Sequence, residues 1–278
     1  MGTKTLFAFF PQWQGSGPSP ELWAGAQELR RRLPGFLFRE VPVSLDPVSG
    51  ITNGILGYEA ILRQQQEAYR LVLNETPERI FSLGGDCGIE IVPVSWLNRR
   101  YDGQLAVIWL DAHGDLNTPE TSPSKHFHGM PLRTLLEEAP HPFSDVAFSR
   151  IQPSQVMLAG VRDLDPAEHR FIQESGIPLF GVEALTADPS LPARLVLARG
   201  MHKVYLHVDL DVLDPSQFPN VKCPVAEGLS FETLRSVIRS CRAECHVVGG
   251  SILEFVEGRN DAGLLELVHD LTGDCPVP

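Results

Sequence analysis

Three side chains of ligand type fall within five residues in Asp111-Ala112-His113-Gly114-Asp115, directly after the apolar run Leu105, Ala106, Val107, Ile108. If the chain stays extended there, strand alternation puts Asp111, His113 and Asp115 on one side, within reach of one small volume. Carboxylates packed that closely repel each other, and a cation is the usual remedy. The competing reading is a strand end with solvated polar residues. It weakens at a second stretch, because His207-Val208-Asp209-Leu210-Asp211 follows the apolar Val204, Tyr205 and Leu206 and again ends in alternating acids. Two strands that terminate in acid pairs point to one polynuclear metal site.

The elements that must position these groups follow from periodicity and turn signals. Strands are expected at 5–10, 36–43, 79–83, 104–110, 156–160, 178–181, 203–208 and 247–253. Helices are expected at 21–32, 53–73, 89–99, 130–137, 166–175, 191–199, 231–242 and 261–271. Alternation of this kind implies a three-layer α/β/α arrangement, with a mostly parallel central sheet covered by helices on both faces. Ligands in such sheets bind beyond the carboxyl ends of the strands, where each acid cluster falls.

The chain has 278 residues and is 43% apolar, enough for a full core, and with no linker evident a single domain over 1–278 is expected. A formal charge of -12 argues against nucleic acid or an anionic membrane surface as a partner. No apolar run approaches the ~20 residues that span a bilayer, and 6–10 is too short for a signal-peptide core, so a cytoplasmic location is expected. Cys87, Cys223, Cys241, Cys245 and Cys275 are odd in number and lack framework spacing, so reduced thiols are expected.

Four segments stand together: Gly84-Gly85-Asp86-Cys87, Asp111-Ala112-His113-Gly114-Asp115, Asp209-Leu210-Asp211 with Asp214-Pro215 behind it, and Leu253-Glu254. Their order and spacing resemble the arginase/agmatinase (ureohydrolase) superfamily over nearly the whole chain. The resemblance implies a single α/β/α domain holding two Mn²⁺ ions, and oxygen-rich ligation with few imidazoles suits Mn²⁺ independently. It also implies that Asp111 and Asp209 bridge the metals, that Asp115 and Cys87 complete one, and that His113 with Asp211 completes the other. A water activated by two metals is a nucleophile available near neutral pH. By the same resemblance it attacks a guanidinium carbon, Asp115 hydrogen-bonds the intermediate, and Glu254 orients the guanidinium by charge pairing. The alternative for Glu254 is a surface acid after a strand.

The segment between the signatures resembles the arginase branch. There the positions of Asn117 and Ser124 hold the substrate α-carboxylate and that of His128 shuttles protons. Neutral donors suit that task, since a cation beside the acids would compete with the substrate head. The positions of Asp165 and Glu168 contact the α-ammonium in that branch, although Asp165-Pro166 also reads as an ordinary helix start. Agmatine has no carboxylate, so these features favour a guanidino amino acid, and the family carries an expectation of a homo-oligomer.

The chain departs from the pattern at Cys87, where the family motif Gly-Gly-Asp-His supplies a histidine. A thiolate is softer and poorly matched to Mn²⁺, so the site beside it is expected to be weak, empty or occupied by Zn²⁺ or Fe²⁺, unless Cys87 is only a small buried residue. Lys125 and His126 replace a glycine and an asparagine, and Cys223 replaces a threonine bordering the guanidine pocket. The leading expectation is therefore an amidinohydrolase retuned for Nω-hydroxy-L-arginine, with hydroxyurea and L-ornithine as products. An arginase, a catalytically impaired metal-binding homologue, and an enzyme gated by a Cys87–Cys223 disulfide are the alternatives.

Overall fold

The computed structural model describes residues 3–48, 50–136, 143–258 and 263–273. Eight strands form one sheet: β1 (Thr5–Phe10), β2 (Arg39–Glu40), β5 (Arg79–Gly84), β6 (Leu105–Leu110), β7 (Val156–Ala159), β8 (Leu179–Phe180), β9 (Lys203–Asp209) and β10 (His246–Leu253), in the order β2-β1-β5-β10-β9-β6-β7-β8. Every pairing in this sheet is parallel. A further hairpin pairs β3 (Ile51–Thr52) with β4 (Ile55–Leu56).

Alternation sorts the sheet's side chains into two apolar layers. Ala106, Ile108 and Leu110 of β6, with Val204, Leu206 and Val208 of β9, pack with residues of α1 (Glu21–Arg31), α6 (Val182–Ala187), α7 (Leu191–Ala198), α8 (Phe231–Glu244) and α9 (Leu264–Thr272). Leu105, Val107 and Trp109, with Tyr205 of β9, pack on the other face with residues of α2 (Tyr58–Glu75), α3 (Ile91–Arg100) and α4 (Pro131–Leu136). Helix α5 (Pro166–Ser175) follows the loop after β7. Central strands buried on both faces read as near-continuous apolar runs, as parallel strands under two helical layers must. The expected three-layer architecture is therefore the one found.

Several boundaries moved. The strand expected at 36–43 shrinks to Arg39–Glu40, because Phe36 and Phe38 turn their rings to Phe7 and each other while only Ala8 and Phe9 offer a paired edge. The helix expected from 53 begins at Tyr58, since Asn53 and Gly54, with φ of 52° and 73°, turn the β3–β4 hairpin and Gly57, with φ of 71°, precedes the first helical residue. Helix α6 was not expected; six residues are too few for helical periodicity to register. Glu137, Asp261 and Cys275 lie outside the described residues. No helix among the described residues is long and apolar enough to cross a membrane.

Candidate metal centre

Strands β5, β6, β9 and β10 are neighbours, so their carboxyl ends deliver the four motifs to one place. After β6 the chain does not stay extended: Asp115 has φ of 53°, in the left-handed region that aspartate tolerates better than most residues. Asp111, His113 and Asp115 therefore converge through a tight loop rather than through strand alternation. His113 is held on both sides, with Nδ1 3.0 Å from Asp211 and 3.5 Å from Asp111, while its backbone N–H donates to Asp111 Oδ1 at 2.6 Å. Asp211 Oδ1 accepts from the Ala112 N–H at 3.0 Å, tying the β9 loop to the β6 loop.

Cys87 is positioned by Asp86, which caps the turn after β5: its carboxylate accepts from the N–H groups of Gly88 (2.9 Å) and Gly15 (2.8 Å) and from Gln12 Nε2 (2.8 Å). Gly85 is required there, because a Cβ would meet the Gln12 carbonyl oxygen at 1.8 Å. The Cys87 thiol donates to Asp209 Oδ2 at 3.0 Å.

Ligand-type atoms gather in three groups among the described residues: Cys87, Asp111, Asp115 and His207; Asp111, His113 and Asp211; and Cys87, Asp209 and Glu254, each within 4.8 Å. Asp111 belongs to the first two, so it lies where these two groups meet. Asp209 sits on the Cys87 side through the thiol. The expected set of Cys87, Asp111, His113, Asp115, Asp209 and Asp211 is thus brought together, and His207 joins it although no role was expected for it. Its signal was available, since residues 207, 209 and 211 share strand parity. Glu90, which holds His207, carried no local signal.

Burial makes this cluster untenable with every acid ionised. Desolvation and then the charge of Asp111 push Asp115 well above its usual range and Asp211 up to about 6; desolvation and then Asp211 push Asp209 well up. Desolvation, then Asp209, raises the Cys87 thiol. Against its burial, bonds to Asp111 and Asp211 hold His113 well above the ordinary imidazole range. Asp115 Oδ2 is buried with no hydrogen-bond partner. Divalent cations would satisfy that orphaned oxygen and offset the clustered charge, so the residues fit a two-metal site.

A cavity of ≈ 140 Å³ opens onto the cluster, lined by Cys87, His113, Asp115, Asp209, Asp211 and Cys223 together with Asn117, Ser124, His128, Asp165 and Glu168. A larger groove of ≈ 530 Å³ beside Arg79, Lys203 and His246 lies at the amino-terminal ends of β5, β9 and β10, away from the converging acids. Glu254 is 2% exposed, which overturns its reading as a surface acid. It stands behind the cavity wall, not on it. Its Oε1 lies 3.2 Å from His128 Nδ1 and accepts from the Cys87 N–H at 3.3 Å, while its Oε2 is buried without a partner.

The cavity residues Asn117, Ser124, Asp165 and Glu168 are already cross-linked. Asn117 Nδ2 donates to Asp165 Oδ2 at 2.8 Å and its Oδ1 accepts from Thr121 at 2.8 Å. Glu168 accepts from the Leu116 N–H (2.8 Å) and the Asp165 N–H (2.9 Å), so Asp165 and Glu168 start α5, with Pro166 at its first position, and also face the cavity. The Ser124 hydroxyl accepts from the His126 N–H at 3.2 Å. Cys87 and Cys223 are both free thiols.

Known proteins resemble this chain in sequence and in fold. A model described as "Arginase family" matches residues 35–257. An arginase of Staphylococcus aureus (strain MRSA252) is 35% identical over 196 residues, which span 68% of this chain and 65% of that relative. An arginase of Bacillus subtilis (strain 168) is 33% identical over 246 residues, 84% of this chain and 82% of the relative. The Entamoeba histolytica arginase, solved with L-ornithine, superposes with a TM-score of 0.85 at 21% identity over 98% of this chain and 100% of its own. With most of its length matched by the family model, and strands β6 and β9 ending in the acid cluster just described, the chain belongs to the arginase family.

Proposed function

We propose that this protein is a two-metal amidinohydrolase that hydrolyses the guanidino group of an arginine-like amino acid. The observation that carries the reading is a pair of buried, unpartnered carboxylate oxygens, Asp115 Oδ2 in the acid cluster that lines the cavity and Glu254 Oε2 behind its wall, with the polar, uncharged Asn117 and Ser124 also lining that cavity. Buried acceptors without partners are rare, and the first suits a cation while the second suits a guanidinium.

Cys87, Asp111, His113, Asp115, Asp209 and Asp211 would hold the ions, with Mn²⁺ matched to the oxygen-rich group of Asp111, His113 and Asp211. When bound, the ions supply an activated water near neutral pH. Glu254 fixes the guanidinium plane through its free oxygen. His128 is kept above its ordinary pKa by Glu254 in spite of burial, so it carries a proton for the departing amine. Asn117 and Ser124 bind the α-carboxylate, and Asp165 and Glu168 the α-ammonium. The L-ornithine bound to the Entamoeba histolytica relative has these same two end groups.

The finer substrate reading is Nω-hydroxy-L-arginine. Cys223 borders the cavity as a neutral thiol, its pKa pushed up to about 12 by burial and then by Glu254, so it offers a compact donor to a hydroxylated guanidine. Turnover of L-arginine, Nω-hydroxy-L-arginine and agmatine with Mn²⁺, followed by release of urea or hydroxyurea and the amine, tests both levels. Release from neither amino acid overturns the amidinohydrolase reading, and a strong preference for arginine overturns the hydroxyarginine one.

A further inference from the structure

The side chain that the mechanism leaves unused is His207. Register on the central strands places it between Trp109 of β6 and Ser251 of β10, all on the face that α3 covers. Its ring stacks on the Trp109 indole at 3.5 Å and 8°, which fixes the imidazole plane. Nδ1 is 2.9 Å from Glu90 Oε1, and that fully buried carboxylate also accepts from the Tyr205 hydroxyl (2.6 Å) and from Ser251. A carboxylate can only accept, so Nδ1 donates to Glu90, and Nε2 is the ring nitrogen turned toward the acid cluster. Nε2 lies 3.4 Å from Asp111 Oδ2 and 3.8 Å from Cys87 Sγ.

Those separations match the edges of a coordination tetrahedron. Bonds of roughly 2.3 Å to sulfur and 2.0–2.1 Å to nitrogen or oxygen put a sulfur and an imidazole nitrogen about 3.6 Å apart, and a nitrogen and an oxygen about 3.3 Å apart. A carboxylate fixing the far nitrogen of an imidazole is also the support that metal-bound histidines use. We propose that His207 and Cys87 form the thiolate–imidazole pair of one metal site, completed by Asp111 and Asp115, so that the histidine absent after Asp86 is supplied from strand β9. The inference rests on the two-metal reading only for the presence of ions. It makes the centre asymmetric: a sulfur-containing site preferring Zn²⁺, Co²⁺ or Fe²⁺ shares Asp111 with an oxygen-rich site suited to Mn²⁺. Binding forms the metal–sulfur and metal–nitrogen bonds as the thiol proton, now donated to Asp209, and the proton that His207 Nε2 shares with Asp111 leave to solvent.

The test is metal binding to the full chain without substrate. Titration with Co²⁺ is expected to give intense four-coordinate d–d bands and a sulfur-to-cobalt charge-transfer absorption. C87S should abolish the charge-transfer band. H207N keeps a donor for Glu90 but has no lone pair in reach of the ion, and should weaken Zn²⁺ binding at this site at least 100-fold; E90Q should weaken it about 10- to 100-fold, as for other partners of metal-bound histidines. Unchanged Zn²⁺ affinity in H207N, or a wild-type Co²⁺ spectrum without the sulfur band, overturns the proposal. If H207N does not fold, zinc-edge X-ray absorption on wild-type protein with one equivalent of Zn²⁺ decides: one sulfur at about 2.3 Å plus imidazole scattering supports it, and absence of either refutes it. Protein that binds metal this way but releases no urea or hydroxyurea would refute the proposed function alone, while turnover without the sulfur signature would refute only the inference.

Discussion

Replacing Glu254 by glutamine separates recognition from stability, because the two are expected to move in opposite directions. The side chain is 2% exposed, one oxygen is engaged by His128 and the Cys87 N–H, and the other has no partner. Glutamine preserves the shape but removes the charge that a guanidinium would meet. A hydrogen bond to a charged group is worth about 1.5–3 kcal/mol, so kcat/KM should fall roughly 10- to 100-fold. The metal-free fold should not suffer. After burial, the Glu254 charge is what pushes Asp86 up to about 7, and it also raises Asp209 and Cys87; a neutral side chain relieves all three. At alkaline pH, where His128 is neutral and its pairing with Glu254 no longer contributes, the variant's Tm without metal should therefore equal or exceed that of the parent. His128 supplies an independent readout. Glu254 raises its pKa, so in Glu254→Gln the proton should be lost at lower pH and the alkaline limb of the pH–rate profile should move down. The assays are steady-state kinetics over pH and thermal unfolding in chelator. A loss below about 3-fold, or a fall in Tm that tracks the loss of activity, would refute the assignment of Glu254 to the guanidinium.

Three further outcomes follow from the same geometry. Without metal, the raised pKa of Asp115, Asp209 and Asp211 means that the folded chain keeps protons which the unfolded chain releases near pH 4; stability should fall as pH rises through about 6, and added Mn²⁺ or Zn²⁺ should raise Tm more at pH 8 than at pH 5. A Tm gap that is constant or narrows with pH would contradict the charge argument. Arg162 donates to the backbone carbonyls of Gly160, Asp211, Val212, Leu213, Val225 and Ala226, clamping the loops behind the metal cluster, so Arg162→Ala should destabilise by about 2–4 kcal/mol in denaturant titration, and a change below about 1 kcal/mol would refute the clamp. Gly85→Ala places its Cβ against the Gln12 carbonyl oxygen and cannot be absorbed by a side-chain rotation; it should lower soluble yield and Tm sharply, and a Tm within 2 °C of the parent, on a scale of roughly 2–4 °C per kcal/mol, would show that the backbone yields.

What the sequence determined by itself was the content of each strand and where each strand stops. Short apolar runs alternating with helical patterns read as central parallel strands, and acids placed directly after them fall at the carboxyl edge, so Asp111, His113, Asp115, Asp209 and Asp211 were legible as one cluster before any coordinates, and Glu254 through the family resemblance. Boundaries at the sheet's edge were less legible. Phe36 and Phe38 have strand-forming side chains but pack as an aromatic cluster, and Asn53 and Gly54 break a pattern that otherwise reads as helix. Only the tertiary structure decided which groups touch. The strand order puts Trp109, His207 and Ser251 side by side, and the turn after β5 brings Glu90 beneath them, although Glu90 is 117 residues from His207 in sequence. Hydrophobic periodicity reports the face on which a side chain lies, whereas a ligand set depends on distances across strands, and those arise only when the sheet is assembled.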